Sequence, residues 1–569
     1  MKKQSFVISA IILALGGFFA KAIGAIYKIP LTNVLGSSGM GIYYLVFPIY
    51  SLIITLCSSG ISVALATEVA KCRKIKHRFN EHKLLRVALV LAFLLSLFFT
   101  IIIVVFCKSI SEWQGNINAY SGYVAIAPAI IISSLIATLR GYFQGIENMV
   151  PTTVSLIVEQ IIKLTIGLIL AHRLCVLGVG YAVLGAILGV TISEIVALII
   201  ISINYISYKG QLSYNYRNLN FKIKKKIDYN KYLKTQNVYN KTQKLCVGYY
   251  RENKNRIRYT TKNALKIIFK TAIPSTFASI IIPISTMLDS FMIINLLASS
   301  GYSSHISTAL YGLLGGVVQS LTSLPIILIS GISTALIPSL SGLVAQNDTN
   351  EIKKKVALFI KLTIVLSIIL FVVMFVFAED YILFLYGDGL DNSVINEFDC
   401  LVKMMKINSV SIFYYALLQT FISILQAMGK PFVPFFTLLL GLIIRTLLVW
   451  VLVSIPNINI YGAIISNVLF LVVVTVILVI IIKKKIDIKY DLFNHLITPI
   501  IVGIIVLVGV IVLNWALKSI MNYFVSMLIS AIVGLVFYMF WIYFSKVFTV
   551  KEKKIFNIKD KSLSKKSEK

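Results

Sequence analysis

The heptapeptide SGISVAL at residues 59–65 returns as SGISTAL at residues 330–336, with six of seven residues identical. Three further matches follow in the same order, each with a slightly wider separation than the heptapeptides: Gln144 with Gln426, Val150-Pro151 with Val433-Pro434, and Ile161-Ile162-Lys163 with Ile443-Ile444-Arg445. Matched segments lie six predicted helices apart, so the two halves run in the same direction. This predicts a parallel repeat about an axis along the membrane normal, with substrate handled between the lobes near the midplane.

The composition around these segments is that of a membrane protein. Of the 569 residues, 58% are hydrophobic and 13% are charged, whereas a soluble domain carries about 25% charged residues. Apolar runs long enough to cross roughly 30 Å of hydrocarbon recur along the chain. We predict an all-α polytopic fold of about fourteen transmembrane helices. Its expected parts are a first lobe of helices one to six at 1–207, a basic loop at 208–265, a second lobe of helices seven to twelve at 266–482, two further helices at 483–547 and a basic tail at 548–569.

The distribution of charge predicts the orientation. Lys and Arg number seven at 71–86, seventeen at 208–270 and nine at 546–569, whereas 379–399 carries six acids and no base. By the positive-inside rule the basic segments and both termini face the cytoplasm, so we expect a multi-pass protein of the bacterial plasma membrane. The net charge of +32 is therefore explained by the orientation of the chain in the membrane, and no nucleic acid partner is expected. The scattered cysteines predict neither a disulfide framework nor a zinc site.

Basic residues inside apolar helices are candidates for substrate binding. Each costs about 3 kcal/mol at a helix centre, so it should face protein or a water-filled cavity. Lys21 and Lys28 lie on nearly one face of helix one, and Lys163 and Arg445 occupy equivalent repeat positions. Such cations could hold a diphosphate through charge-assisted hydrogen bonds, with Glu159 beside them. Two alternatives remain open: Lys28 could snorkel to the outer headgroups, and Glu159 could pair with Lys163 four residues later.

Asp289 in helix seven and Glu194 in helix six are candidates for coupling to Na⁺ or H⁺, or for pairing with the cations. A buried carboxylate can exchange a proton. No other cofactor and no metal site is expected, and the absence of a P-loop argues against ATP hydrolysis. No enzyme motif is present, so the sequence predicts a transporter. Arg140, near a predicted cytoplasmic helix end, is interpreted as an interface anchor.

The most specific stretch is RGYFQGIENMVPT at 140–152, which Val158-Glu159-Gln160 follows. It is accompanied by KAIGAIYKIP at 21–30, GMGIY at 39–43, the segment 283–289 and LQAMGKP at 425–431. Over nearly the whole chain these segments resemble the multidrug/oligosaccharidyl-lipid/polysaccharide flippase superfamily, which includes the MATE transporters. Within it they look most like the lipid II flippase (MurJ-like) group and its sporulation protein VB branch. In that group a basic residue three before a glycine in helix one serves the cavity, and Lys21 before Gly24 matches. Two further arginines of its Gram-negative members are absent, since Tyr27 and Thr55 stand there.

The resemblance implies a flippase that moves an undecaprenyl-diphosphate-linked cell-wall precursor, similar to lipid II, from the inner to the outer leaflet by alternating access. Peptidoglycan or other cell-wall polysaccharide synthesis, in growth or in sporulation, would be its setting. The alternatives are a flippase for another lipid-linked oligosaccharide, a cation-coupled multidrug exporter and a non-transporting scaffold. Expected partners are a lipid-linked sugar diphosphate and cell-wall synthesis proteins. The loop at 208–265 mixes bases with tyrosines, which suits a solvated loop or attraction to anionic lipids better than binding of single-stranded nucleic acid.

Overall fold

The computed structural model of the chain describes residues 6–74, 78–232, 259–345, 349–386, 396–430, 432–486, 497–545 and 547. These residues form helices joined by short turns, with no strand among them. The helices of the first lobe are α1 (Phe6–Ile54), α2 (Gly60–Lys74), α3 (Arg78–Trp113), α4 (Tyr120–Gly145), α5 (Val150–Cys175) and α6 (Val179–Tyr232). A π-helical turn, Thr55–Ser59, joins α1 to α2.

The second lobe repeats this order in eight helices, because the counterpart of the kinked α1 is divided in two and one short helix is added. Its helices are α7 (Thr261–Ser299), α8 (Ser304–Gly312), α9 (Gln319–Ala345), α10 (Thr349–Val376), α11 (Ala378–Tyr386), α12 (Glu397–Ala427), α13 (Phe432–Val453) and α14 (Tyr461–Ile486). A π-helical turn, Leu313–Val318, joins α8 to α9. The pair α15 (Thr498–Lys518) and α16 (Tyr523–Phe544) completes the fold.

The helix starts reproduce the sequence repeat. Helices α3 and α10 begin at positions 78 and 349, the same separation as that of the two heptapeptides. Helices α5 and α13 begin at positions 150 and 432, and α6 and α14 begin at 179 and 461, which in both cases equals the wider separation of Gln144 from Gln426. The separation grows where α11 lies, between α10 and α12, so this short helix marks the insertion in the second lobe. The predicted architecture of two parallel repeats and an added pair is confirmed.

Thirteen helical runs among the described residues are long and apolar enough to cross a membrane. The first, Leu15–Arg73, has 59 residues, about twice what one crossing needs. A kink at Gly36 divides it, where φ is 66° and ψ is 179°. Counting that run twice gives fourteen crossings, in agreement with the sequence prediction for a multi-pass membrane protein.

The basic segment at 208–265 differs from the predicted loop. Helix α6 continues without a break to Tyr232, and α7 begins at Thr261. Nucleating a helix is the unfavourable step, so a helix already formed in the membrane can extend into a polar stretch that contains no proline. Residues 233–258, between these helices, lie outside the described part of the chain, and so does the predicted tail at 548–569. The attraction of this loop to anionic lipids stays a prediction.

The helical bundle has a basic end and a far end. The basic end carries Arg73, Tyr259 and Lys270, and the far end carries Trp113 and Ser304. At the far end the lobes are joined by side-chain hydrogen bonds. The Gln114 amide donates to Ser290 Oγ at 3.0 Å, the Asn116 amide donates to Thr308 Oγ1 at 3.0 Å, and Ser304 Oγ donates to the Gly115 carbonyl at 2.9 Å.

Backbone packing reinforces this far-end contact. A Cβ added to Gly41 would lie 2.0 Å from the carbonyl oxygen of Thr308, and one added to Gly312 would lie 2.1 Å from that of Ser37. Helices α1 and α8 therefore touch backbone to backbone, which only glycine permits at these two positions. The first lobe and the second lobe are closed against each other at the far end.

The pair α15–α16 is attached to the second lobe by a buried polar network. Lys518 Nζ lies 2.5 Å from Asp380 Oδ1, and the Asn514 amide donates to Asp380 Oδ2 at 3.0 Å. Ser526 Oγ in turn donates to Asn514 Oδ1 at 2.7 Å. Because Asp380 belongs to α11, this network joins the added pair to the inserted helix of the second lobe.

Candidate functional site

A cavity of about 500 Å³ lies between the two lobes. Helices α1 and α5 of the first lobe line one side, and α7, α9 and α12 to α14 of the second lobe line the other. It is bounded by tyrosine, phenylalanine and aliphatic side chains and contains four charged residues, Lys28, Lys163, Asp289 and Arg445. Ligand sites of this kind are mostly apolar, with a few polar groups that fix the orientation of the ligand.

Lys28 and Lys163 are the two cations of the first lobe that reach the cavity. The Nζ atom of Lys28 lies 5.1 Å from the ring centroid of Tyr44. The Nζ atom of Lys163 lies 5.0 Å from the ring of Phe47 and 5.5 Å from that of Tyr27. A cation over a ring face gains about 2 kcal/mol when both are shielded from water. Among the described side chains neither ammonium forms an ion pair with a carboxylate, so both positive charges remain available to a ligand.

Arg445 is the cation that the second lobe contributes to the cavity, and its charge is already balanced by a carboxylate. Its guanidinium donates to Asp289 Oδ1 at 3.0 Å and to Asp289 Oδ2 at 2.6 Å. It also donates to Ser285 Oγ. The two side chains are 8% and 10% exposed. A two-point Arg–carboxylate pair is the strongest common form of ion pair, so Asp289 binds Arg445 here and both of its oxygens accept hydrogen bonds from it.

Glu159 is paired, but not with Lys163 as one sequence alternative proposed. Glu159 Oε2 lies 2.7 Å from Arg140 Nη2, and Arg140 Nε donates to Ser155 Oγ at 3.0 Å. The Arg140 side chain is 15% exposed, so it lies inside the lobe rather than serving as an interface anchor. Arg140 on α4 can reach across to α5 with its long side chain, while the Lys163 ammonium lies against aromatic rings instead.

Glu194 is buried behind the cavity lining, on α6. The Tyr50 hydroxyl donates to Glu194 Oε1 at 3.2 Å and lies 3.0 Å from Ser133 Oγ. The residue is 8% exposed, and no ion pair to it occurs among the described side chains. Glu194 thus differs from Asp289, whose charge is balanced by direct contact with a guanidinium.

Lys21 lies outside this cavity, contrary to the sequence prediction. Its side chain is exposed, and it is not among the lining residues. Lys21 and Lys28 share a helix face but differ in height by about 10 Å at 1.5 Å per residue. Only Lys28 lies at the level of the cavity, so the expected pair of helix-one cations is reduced to one.

Several polar residues of the cavity were missed by the sequence reasoning. Tyr44, Asn408, Gln419 and Asn467 line it, and the Asn408 amide donates to Thr322 Oγ1 at 3.1 Å. An amide within an apolar helix is a recognisable signal in the sequence, because it must find a polar partner in the membrane. Among the described residues no cluster of His, Cys, Asp and Glu could hold a metal ion.

Comparison with known proteins gives two family matches. Residues 6–231 match the family described as polysaccharide biosynthesis protein, and residues 249–535 match the family described as lipid II flippase MurJ. Stage V sporulation protein B of Bacillus subtilis (strain 168) is 24% identical over 496 residues, which cover 87% of each chain.

Solved structures share the fold. The inward-facing conformation of a multidrug resistance MATE family transporter of the MOP superfamily has a TM-score of 0.64 at 13% identity, covering 85% of this chain and 98% of that one. The inward closed conformation of the lipid II flippase MurJ has a TM-score of 0.63 at 14% identity, covering 93% and 97%. These families and folds are those of transporters and flippases, and the chain is accordingly a transporter and not an enzyme, as the sequence predicted.

Proposed function

The chain belongs to the lipid II flippase MurJ family, and on that premise we propose that it moves an undecaprenyl-diphosphate-linked cell-wall precursor from the inner to the outer leaflet. The same class of activity is supported by its likeness to stage V sporulation protein B and by the polysaccharide biosynthesis match of the first lobe. A precursor similar to lipid II is the preferred substrate, and another lipid-linked oligosaccharide is the closest alternative.

The observation that carries the proposal is a pair of ammonium groups in the cavity that have no carboxylate partner among the described side chains. Lys28 and Lys163 come from different helices, and both line the same space between the lobes. In surroundings of low dielectric constant, the attraction between a cation and a phosphate is several times stronger than in water. The diphosphate of the substrate is proposed to bind between these two lysines, with the sugars in the remaining volume.

Arg445 is assigned a different role from the two lysines. Asp289 already occupies its guanidinium, so the substrate must compete with that carboxylate to reach it. Arg445 is proposed to keep the second lobe's wall of the cavity electrically neutral. The net positive charge then lies on the first lobe, which suits a substrate that carries its negative charge at one point.

The direction of transport follows from the orientation that the positive-inside rule predicts. The basic end is proposed to face the cytoplasm, and the closed far end to face outside. Loading from the inner leaflet is then followed by opening of the far-end contact, as in other transporters whose lobes rock about a central site. The prenyl tail is proposed to stay in lipid along α15 and α16, whose outer faces expose apolar side chains such as Trp515 at 78%.

Coupling to an ion is proposed to involve Glu194 rather than Asp289. The Asp289 carboxylate is balanced by Arg445, whereas Glu194 is buried with Tyr50 as its hydrogen-bond donor. A buried carboxylate that forms no ion pair is a candidate to take up a proton. If so, transport by the Glu194→Gln variant should no longer respond to an imposed pH gradient. An unchanged response in vesicles would reject this assignment.

The deciding experiment compares the two lysines of the cavity with Lys21, which lies on α1 outside the cavity. Lys28→Ala combined with Lys163→Ala should reduce flipping of a lipid-linked sugar diphosphate in vesicles at least about tenfold, because two charge-assisted contacts are lost. Lys21→Ala removes the same charge from α1 outside the cavity and should keep nearly full activity. Loss of flipping in Lys21→Ala alone would favour the sequence prediction over the site described here.

A multidrug exporter is distinguished in the same preparation. An exporter of cationic drugs would need a free carboxylate in the cavity, but among the described lining residues the carboxylate present, Asp289, is paired. The double lysine variant should therefore gain no drug efflux. Drug efflux by the unmodified protein without any flipping of lipid-linked diphosphates would overturn the proposed function.

A further inference from the structure

A second groove, of about 710 Å³, lies at the basic end, away from the central cavity. Helix α2 of the first lobe lines one side of it, and helices α7 and α13 of the second lobe line the other. None of its lining residues also lines the central cavity. The groove is therefore a separate feature of the contact between the lobes, and the flippase proposal does not use it.

One part of the groove is cationic. Lys71 of α2 and Lys270 of α7 line it together with the acid Glu68, so the three side chains carry one net positive charge. Lys71 is 65% exposed, and its pair with Glu68 is therefore weaker than the buried pair of Arg445 and Asp289. Lys71 Nζ lies 2.7 Å from Glu68 Oε1, which uses one of the three hydrogens of its ammonium group and leaves two for another acceptor. Lys270 is exposed and makes no ion pair among the described side chains. An anion in the groove would thus meet one lysine from each lobe.

The other part of the groove is aromatic. Phe277 is 60% exposed and Phe432 is 61% exposed, and Phe435 lies beside them in the lining. On α7, Phe277 follows Lys270 by seven residues, which is about 10 Å along the helix axis. Since α7 runs from the basic end into the bundle, Phe277 lies deeper than Lys270, whereas Phe432 and Phe435 belong to the first turn of α13 at the basic end. Along α7 the groove thus changes from cationic to apolar with depth, as a phospholipid does from its phosphate to its acyl chains.

We propose that this groove binds an anionic phospholipid of the leaflet at the basic end, with its phosphate between Lys71 and Lys270 and an acyl chain along the three phenylalanines. The phosphate matches the two lysines and the acyl chain matches the phenylalanines, so one amphipathic molecule fits both parts of the groove. Attraction of about 1 kcal/mol for each lysine near an anionic surface supports such binding.

A lipid bound in the groove would also affect the conformation, because both lobes line the groove. A phosphate held by Lys71 and Lys270 would connect α2 to α7. The two helices also approach closely deeper in the bundle, where a Cβ added to Gly60 would lie 2.2 Å from the Ala272 carbonyl oxygen. The lipid would therefore stabilise the state in which the lobes touch at this edge of the basic end. A ligand shifts such an equilibrium only through its different affinity for the two states.

The test is native mass spectrometry of the full chain released from vesicles of phosphatidylethanolamine and phosphatidylglycerol, with bound lipids counted. The Lys71→Gln/Lys270→Gln variant should retain phosphatidylglycerol roughly tenfold less well than the unmodified chain. Lys262→Gln/Lys266→Gln is the matched control, because it removes two charges from exposed positions of α7 outside the groove. The control should retain the lipid.

A charge-preserving variant separates the loss of charge from misfolding. Lys71→Arg/Lys270→Arg should keep bound phosphatidylglycerol, since arginine also binds phosphate. Equal loss of lipid in the groove variant and the Lys262/Lys266 control would show general attraction to the surface and overturn the proposal. Retention of phosphatidylethanolamine as strongly as phosphatidylglycerol by the unmodified chain would also overturn it. Neither outcome depends on flipping activity, so this inference can fail while the proposed function stands.

Discussion

Arg445 and Asp289 neutralise each other inside the membrane-crossing part of the chain, with side chains 8% and 10% exposed. Removing one member of a buried pair leaves the other charge without compensation. Arg445→Ala should therefore lower the free energy of unfolding by about 3–5 kcal/mol. Replacing both members, as Arg445→Met with Asp289→Leu, should recover most of that loss, because apolar residues of similar volume often substitute for a buried ion pair.

The measurement is the thermal unfolding midpoint of the purified variants in detergent. The single variant should unfold at a clearly lower temperature than the double variant. If Arg445→Ala unfolds at the same temperature as the unmodified chain, Asp289 is not desolvated as the structure shows.

The ion-pair partners of the charged residues could not be predicted from the sequence. Arg445 has no acidic residue four positions away, and this favoured a free cation. Its partner instead comes from α7, 156 residues earlier. Glu159 has a lysine four positions later, yet Arg140 of α4 binds it. Spacing along one helix describes contacts within that helix, whereas these pairs depend on which helix lies alongside, and that is set by the packing of the whole lobe.

The kink in α1 is an element whose geometry depends on one residue. Gly36 has φ of 66° and ψ of 179°, and no atom lies within 4 Å of a Cβ built on it. The cost of Gly36→Ala is therefore conformational and not steric, about 1–3 kcal/mol. Gly17, in the regular part of α1, has equally open space around it, and Gly17→Ala should stabilise the helix by up to about 1 kcal/mol.

Thermal unfolding of these two alanine variants checks the assignment of the kink. Opposite shifts of the midpoint are expected, downward for residue 36 and upward or neutral for residue 17. A neutral result at both positions would mean that α1 can straighten at low cost.

The sequence predicted the presence of each helix better than it predicted where the helix ends. The sequence prediction ended helix six near residue 207, but α6 runs to Tyr232. Hydrophobicity detects the part of a helix that needs lipid, and it has no means to detect where the hydrogen-bonded backbone stops. The long apolar runs predicted the fourteen crossings and the added pair, because a membrane requires helices long enough to span it. The matched segments predicted the repeat.

For the whole molecule, the far-end contact is expected to decide whether the cavity can open at the far end. A Cβ on residue 41 would lie 2.0 Å from the Thr308 carbonyl oxygen, so Gly41→Ala must push α1 and α8 apart. The population should shift toward a state open at the far end. Gly331→Ala is the control, since no atom lies within 4 Å of a Cβ built at that position.

Spin labels on the exposed residues Asn118 and Ser454, one on each lobe, would report this shift as a distance distribution. A longer distance should gain population in the Gly41→Ala variant and not in the control. An unchanged distribution in a folded Gly41→Ala protein would show that this contact does not hold the far end closed.

The length of α6 has a mechanical consequence. Its membrane-crossing run ends near Lys209, and the helix continues through residues 210–232, which is about 35 Å at 1.5 Å per residue. That extension is covalently continuous with the first lobe and acts as a lever arm on it. A tilt of the lobe by about 10°, within the range of rigid-body domain rotations, would swing its tip by roughly 6 Å. Movements that are small inside the bilayer would thus be larger at the tip of the helix. A fluorophore placed at Tyr232 would detect them during transport without contacting the cavity.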